Sequence, residues 1–194
     1  MGRPREFNEI DVRQAVLGAF WRKGFAETSL SDLEAETGLG RRSLYNTFGD
    51  KHELFVRALQ DFRQVAVRRN LAPLDDPSVG VAGIDAVLTG LVELAGTSDG
   101  RNGCLICNTA REGVAEDTSV KAEVDGYFRD IERRFKAALK SSQRSGSIST
   151  SENVGSLAQF FLGVLVSICV LARSGASRRV LNNIRIESMR RLQV

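Results

Sequence analysis

Apolar residues recur at helical spacing along almost the whole chain, whereas the alternation of apolar and polar residues that marks β-strands is scarce. Such spacing collects the apolar side chains on one face of an α-helix. The first helix is predicted over about residues 8–23, with Val12, Val16 and Phe20 on its apolar face and Gly24 at its end. The pattern therefore predicts an all-α fold.

Short helices separated by tight turns follow the first helix. Ser29 and Asp32 have the spacing of a capping box, in which two side chains satisfy free backbone amides at a helix start. Gly38 is expected to end this second helix in a left-handed turn. A third helix is predicted from about Arg41 until the chain breaks at Gly49. Helix, tight turn and helix is the resulting pattern.

A fourth, longer helix begins at Asp50, which with Glu53 repeats the capping pattern, and continues toward Leu71. Five further amphipathic stretches follow a turn-rich segment, and they lie at about residues 81–96, 104–115, 118–141, 152–174 and 177–192. We place a domain boundary near the end of the fourth helix. Residues 1–70 then form one domain and residues 71–194 form a second.

The predicted third helix concentrates polar side chains on its exposed face. Leu44 and Phe48 are its apolar residues and are expected to hold it to its domain. The polar set consists of Arg41, Arg42, Ser43, Tyr45, Asn46 and Thr47. In a helix-turn-helix the second helix enters the major groove of DNA, where a bidentate arginine–guanine pair contributes about 1–3 kcal/mol of discrimination. The alternative is that Arg41 and Arg42 are solvated surface charges.

Over residues 28–55, TSLSDLEAETGLGRRSLYNTFGDKHELF, the chain resembles the TetR family of bacterial transcription regulators. The matching positions are Gly38, Leu39, Ser43-Leu44-Tyr45, Phe48 and Lys51. The segment GCLICNTARE, residues 103–112, resembles the GCL-x-x-N-T-A-x-E segment of one subgroup. The resemblance implies a three-helix helix-turn-helix DNA-binding domain at the N-terminus. It also implies a C-terminal helical domain that binds an effector and dimerises.

The same resemblance implies how the first domain contacts DNA. Base edges are expected to be contacted by Arg41, Arg42 and Ser43. Phosphates are expected to be contacted mainly by Tyr45, Thr47, Ser29, Ser31 and Lys51. The basic residues 2–5, GRPR, form either an arm in the minor groove or a disordered terminus.

Cys104 and Cys107 form a C-x-x-C pattern at the start of a predicted helix. A helix N-terminus lowers the pKa of a nearby thiol, which is the chemistry of a redox-responsive cysteine. The resembled subgroup includes regulators that sense oxidants or electrophiles through a cysteine in this segment. Core packing or pocket lining is the first alternative. A metal site is the least favoured, since the only histidine, His52, lies in the other domain and is expected to face DNA or solvent.

Four other side chains have candidate roles in the second domain. Arg111 follows Cys107 by four residues and is therefore expected near it on the helix, where it would stabilise a thiolate or bind an acidic effector. A surface ion pair is the alternative for Arg111. Phe128 and Phe161 are candidate pocket residues, although aromatic residues at helical spacing usually belong to the core. Cys169 is expected to be inert core.

The expected partners are an operator in double-stranded DNA, a second copy of the chain and a small-molecule effector of unknown identity. One helix-turn-helix contacts only a few base pairs, so specificity requires two copies on a pseudo-palindrome. The apolar helices at residues 152–174 and 177–192 are expected to pair with their symmetry mates in a four-helix interface. Monomer core packing is the alternative. The resemblance implies a repressor that an effector releases from DNA.

Composition and charge narrow the alternatives. The net charge is +3, and residues 1–70 carry 12 Lys and Arg against 10 Asp and Glu, so DNA binding must depend on local placement rather than bulk charge. No export signal is visible, so a cytoplasmic protein is expected. The apolar run 157–172 is shorter than a bilayer span, so no membrane contact is expected. No cofactor is expected either. Two other functions remain open: a helical interaction module, and a thiol oxidoreductase using Cys104 and Cys107, which lacks the usual βαβ context.

Overall fold

The computed structural model describes residues 8–192, and over this range the chain is all α-helical, as predicted. The described residues form ten α-helices, joined by turns that include three short 3-10 segments. The helices are α1 Glu9–Glu27, α2 Leu30–Thr37, α3 Arg41–Phe48, α4 Lys51–Asn70, α5 Gly80–Leu94, α6 Ser98–Arg101, α7 Leu105–Thr109, α8 Thr118–Arg144, α9 Val154–Arg173 and α10 Arg178–Arg190.

Local signals in the sequence set the ends of the first four helices. Ser29 caps α2 and Asp50 caps α4, and each forms the complete capping box with the acid three residues later. Gly38 ends α2 with φ of 68°, in the left-handed region that glycine enters without steric cost. Helical geometry in α1 is interrupted at Gly24, with φ of 80°. The predicted helix-turn-helix geometry follows from these local conformations.

The capping box of α2 provides a stability test. Replacing Ser29 with alanine removes the side chain that accepts the backbone N–H of Asp32, so the free energy of unfolding is expected to fall by about 1 kcal/mol. Urea denaturation followed by circular dichroism measures this loss. Ser31→Ala is the matched control, because Ser31 is exposed and does not cap the helix. An equal loss in both variants would contradict the capping role.

The core has two connected parts. In the N-terminal part, α1 packs against α4, and Phe20 meets Phe55 edge-on with ring centroids 5.0 Å apart. In the C-terminal part, α8 packs against α9, and the buried rings of Phe135 and Phe161 lie 6.1 Å apart. Helix α4 also contacts α7 and α8, so the two parts share a continuous core rather than a flexible junction.

The chain departs from the expected pattern at residues 104–115, which do not form one helix. Helix α7 ends at Thr109, and a separate 3-10 turn covers Gly113–Glu116. Arg111 therefore lies beyond the helix that holds Cys107, and its side chain is exposed. The expectation that Arg111 stacks near Cys107 one helical turn away is wrong, because the helix ends before that turn is completed.

Among residues 8–192, two segments are long and apolar enough to cross a membrane, judged by length and composition alone: Pro77–Leu94 and α9. The apolar run of residues 157–172 is shorter than a bilayer span, as expected, but the helix that contains it has 20 residues and reaches that length. Inward-facing side chains of α9, including Leu165 and Ile168, are nevertheless buried, and the helix packs along α8. Its hydrophobicity is explained in part by this core position.

Candidate nucleic-acid interface and adjoining cavity

Helices α2 and α3 form a compact unit that presents one face of α3 to solvent. Leu44 and Phe48 are almost fully buried, and they anchor α3. The backbone N–H of Arg41 donates to Oε1 of Glu34 at 2.6 Å, which fixes the start of α3 to α2. Because the anchoring residues lie four apart, the remaining side chains of α3 face outward together.

The outward face of α3 carries the predicted polar set. The exposed members are Arg41, Arg42, Ser43, Asn46 and Thr47, while Tyr45 is half-buried. The guanidinium of Arg41 lies 5.6 Å from the centroid of the Tyr45 ring, a cation–π contact that preorganises the arginine. Within the described part of the chain, neither Arg41 nor Arg42 makes an ion pair. Two uncompensated cations therefore stand on a small polar surface.

Nearby basic residues outside α3 are engaged with the protein itself. Arg22 pairs with Glu36, and Lys23 donates to Asp32 at 2.7 Å. The hydrogen bond from Lys23, followed by those from Ser29, lowers the pKa of Asp32 to about 2. The local positive potential therefore comes mainly from α3 and not from these neighbours.

The other predicted contacts with DNA flank the face of α3. Ser31 is exposed, and Ser29 is exposed although its hydroxyl serves the cap of α2. The ammonium of Lys51 lies 4.5 Å from the centroid of the Phe25 ring. The basic residues 2–5 lie outside the described residues. His52 differs from expectation, since its Nε2 lies 3.1 Å from Oδ1 of Asp117 at the start of α8.

A small cavity of about 30 Å³ lies between the helix-turn-helix part and the C-terminal helices. We call it the thiol cavity, and its wall includes Trp21, Phe62, Arg69, Cys104, Tyr127, Leu165 and Cys169. The volume is comparable to that of one water molecule, so a larger ligand requires the wall to move. Trp21 comes from α1 and Phe62 from α4, so the cavity directly contacts the helices that support α3.

The three cysteines are free and lie around one tyrosine. Sγ of Cys104 is 4.0 Å from Oη of Tyr127. Burial opposes ionisation of Cys104, but hydrogen bonds from the Cys107 thiol, from the backbone N–H groups of Cys107 and Ile106, and from Tyr127 outweigh it and lower the pKa of Cys104. The interactions with Cys104 and Cys169, together with burial, raise the pKa of Cys107. Of Cys104 and Cys107, Cys104 therefore has the lower pKa.

The other predicted effector residues lie away from the cavity wall. Cys107 is buried behind the wall, and Arg111 is exposed beyond α7. Phe128 is half-buried beside Tyr127, with ring centroids 6.0 Å apart, and Phe161 is fully buried in the core. No group of three His, Cys, Asp or Glu side chains among the described residues is arranged to hold a metal ion.

Of the wall residues named above, sequence reasoning identified only Cys104 as a candidate site residue. Trp21, Tyr127 and Cys169 lie on different helices, and Cys169 was expected to be inert core. Trp21 could have been noticed in the sequence, because it is a lone tryptophan, large and with a polar N–H, on an otherwise apolar helix face. The sequence contained no comparable signal for the approach of Cys169 to Cys104.

Two family models match the chain. The model described as bacterial regulatory proteins, tetR family, matches residues 14–58, and the model described as tetracyclin repressor-like, C-terminal domain, matches residues 80–186. Among curated proteins, the chain is 24% identical to the uncharacterized HTH-type transcriptional regulator YezE of Bacillus subtilis over 174 residues, which cover 89% of this chain and 90% of YezE.

A second relative and a solved structure support the same grouping. The chain is 26% identical over 178 residues to the HTH-type transcriptional repressor ComR of Escherichia coli, covering 91% of this chain and 84% of ComR. A solved structure of a cysteine mutant of the TetR family transcriptional regulator CifR, complexed with 26bp double-strand operator DNA, is similar with a TM-score of 0.86. It is 26% identical, and the match covers 97% of this chain and 98% of that one.

Proposed function

The chain belongs to the TetR family of bacterial regulatory proteins, and from that membership we propose that it is a dimeric repressor of transcription in the cytoplasm. Residues 1–70 are the DNA-binding domain, and residues 71–194 bind the effector and dimerise. The observation that carries this proposal is the outward face of α3, where Arg41 and Arg42 stand without ion-pair partners among the described residues. A face of this kind fits the major groove.

The contacts follow from the position of each side chain. Arg41, Arg42 and Ser43 face base edges, since they lie in the first turn of α3, which enters deepest into the groove. Asn46 extends the same face, and phosphates are contacted mainly by Tyr45, Thr47, Ser29, Ser31 and Lys51. The CifR complex with operator DNA supports DNA binding by a chain of this fold.

Selection of DNA from a random duplex pool tests the proposal without knowledge of the genome. The reduced protein is expected to enrich a pseudo-palindrome whose half-sites lie about one helical turn, or a multiple of it, apart. Affinity for the selected duplex is expected to fall steeply as salt rises, because binding releases counterions from phosphates. An output without a shared sequence would reject the repressor proposal and would favour the helical interaction module.

We also propose that the releasing signal acts at the thiol cavity. The segment GCLICNTA, residues 103–110, resembles the GCL-x-x-N-T-A segment, and on this resemblance we assign the chain to that subgroup, with Cys104 as the thiol that carries the signal. An apolar or electrophilic small molecule suits a wall of aromatic, aliphatic and thiol groups. Release requires only that the bound or modified state prefer a conformation that does not fit the operator.

Alkylation kinetics test the role of Cys104. N-ethylmaleimide is expected to modify Cys104 before Cys107, because the lower pKa of Cys104 gives it more of the reactive thiolate at neutral pH. Peptide mass spectrometry over time measures the order of modification, and anisotropy of labelled operator measures release. Cys104→Ser is expected to abolish release while Cys107→Ser retains it. Release that persists in Cys104→Ser would exclude this cysteine as the sensor.

A further inference from the structure

Residues 103–117, which we call the coupling segment, contact the helix-turn-helix part at three places. The indole N–H of Trp21 donates to the carbonyl oxygen of Gly103 at 2.8 Å. The carboxylate of Glu112 accepts hydrogen bonds from two backbone amides that follow α1's break at Gly24. Nε2 of His52, in the first turn of α4, lies 3.1 Å from Oδ1 of Asp117. The segment therefore spans from the thiol cavity to the helices that hold α3.

The contact of Glu112 depends on the shape of the α1 backbone. Gly24, with φ of 80° and ψ of 178°, interrupts the helical geometry of α1 just before the amides of Phe25 and Ala26. Oε2 of Glu112 accepts from these amides at 2.9 and 3.2 Å. A Cβ at Gly24 would lie 2.6 Å from Oε1 of Glu112, so a side chain at this position would displace the carboxylate end of Glu112.

The turn that Glu112 holds leads directly to α3. The hydroxyl of the fully buried Thr28 donates to the carbonyl oxygen of Gly24 at 2.6 Å, and the next residue, Ser29, caps α2. At the other end of α2, Glu34 accepts the backbone N–H of Arg41. A change in the position of Glu112 therefore acts on the start of α2 and, through α2, on the base-contacting end of α3.

The other end of the coupling segment forms part of the thiol cavity. Gly103 precedes Cys104, and a Cβ at Gly103 would lie 3.1 Å from Cβ of Arg173 and 3.2 Å from the carbonyl oxygen of Cys169, so the segment packs directly on α9. Its partner Trp21 also lines the cavity. A group added to Cys104 has too little space in about 30 Å³ and must displace this wall.

We propose that the coupling segment transmits the state of the thiol cavity to α3, with Trp21 and Glu112 as the positioning residues at its two contacts. This inference rests on the proposed function for its biological meaning. Coupling requires that the segment have a second arrangement. The state of the cavity and the position of α3 must each favour one of the two arrangements over the other. Enlargement at Cys104 disfavours the present arrangement, and loss of the Glu112 contact frees the α1–α2 turn.

The test compares the effect of one modification on operator affinity in several variants. All carry Cys107→Ser and Cys169→Ser, so that N-ethylmaleimide adds only to Cys104, whose sulfur bonds to one alkene carbon while the other takes a proton from water. In this background we expect modification to weaken binding of the selected operator at least about fivefold. In Glu112→Ala or Trp21→Phe, the ratio of the operator affinities before and after modification is expected to approach one. Combining the two substitutions in one variant is expected to change this ratio little further.

Two further variants separate coupling from folding. Glu116→Ala removes an exposed carboxylate from the same segment and is expected to keep the full ratio. Glu112→Gln retains an oxygen that accepts hydrogen bonds and is expected to restore part of it. A full ratio in both Glu112→Ala and Trp21→Phe, with modification confirmed by mass spectrometry, would overturn the inference.

Hydrogen–deuterium exchange provides a readout that needs no DNA. Modification of Cys104 is expected to increase amide exchange in residues 25–37, which include the two amides bound by Glu112 and all of α2. In Glu112→Ala, exchange there is expected to be high before modification and unchanged after it. If modification leaves exchange unchanged in the parent background, the proposed role of the coupling segment is wrong even if the protein binds an operator. If exchange changes but no operator is selected, only the repressor proposal is rejected.

Discussion

Replacing Arg41 with alanine is expected to abolish sequence-specific binding of the selected operator while the protein stays folded. A bidentate arginine–guanine pair contributes about 1–3 kcal/mol, and a dimer makes the contact twice, so affinity is expected to fall by about 2–6 kcal/mol. Arg41 is exposed and holds Glu34 only through its backbone, so alanine preserves that hydrogen bond. Anisotropy titrations with labelled operator measure the loss.

Two comparisons make this result specific. Arg144→Ala removes an exposed arginine at the end of α8 and is expected to leave operator affinity unchanged, apart from a small effect on long-range charge. Binding of Arg41→Ala to scrambled DNA is expected to resemble that of the parent protein, since nonspecific binding depends on phosphates. If both arginine variants weaken binding equally, general charge and not the surface of α3 accounts for the affinity.

Replacing Phe160 with glutamate is expected to convert the dimer into a monomer. Helix α9 buries Phe161 and Leu165 on one side, yet Phe160 on its other side is 44% exposed and Val180 of α10 is 42% exposed. A symmetric interface places each substituted residue in the contact twice, and an unpaired carboxylate there costs several kcal/mol, on the order of the stability of many dimers. We therefore expect the mass to fall from twice 21.3 kDa to 21.3 kDa.

Light scattering after size-exclusion chromatography measures this change. Val65→Glu is the matched control, because Val65 is 55% exposed on α4, outside the proposed interface, and its variant is expected to remain dimeric. Operator affinity of Phe160→Glu is expected to fall with the mass, since a monomer contacts one half-site. A dimer that survives Phe160→Glu would show that α9 and α10 are core helices with incidental exposure.

The candidate site was partly predictable from the sequence. The outward face of α3 could be predicted because Leu44 and Phe48 are its two side chains without a polar group. Their spacing of four residues places them on one side of the helix, so the other side chains face outward. The position of Arg111 could not be predicted, because the prediction assumed that α7 continues past Thr109. The periodicity of apolar residues does not reveal where a short helix ends. After α7 the chain instead makes tertiary contacts, such as the hydrogen bond between Glu112 and α1.

The sequence by itself determined the helices of the N-terminal part, because the caps at Ser29 and Asp50 and the breaks at Gly24 and Gly38 act within a few residues. Only the tertiary structure decided which residues surround the thiols and which residues connect them to α3. Trp21 and Gly103 are 82 positions apart, and Glu112 meets Phe25 across 87. Contacts at such separations depend on how whole helices pack, and no local pattern in the chain specifies their partners.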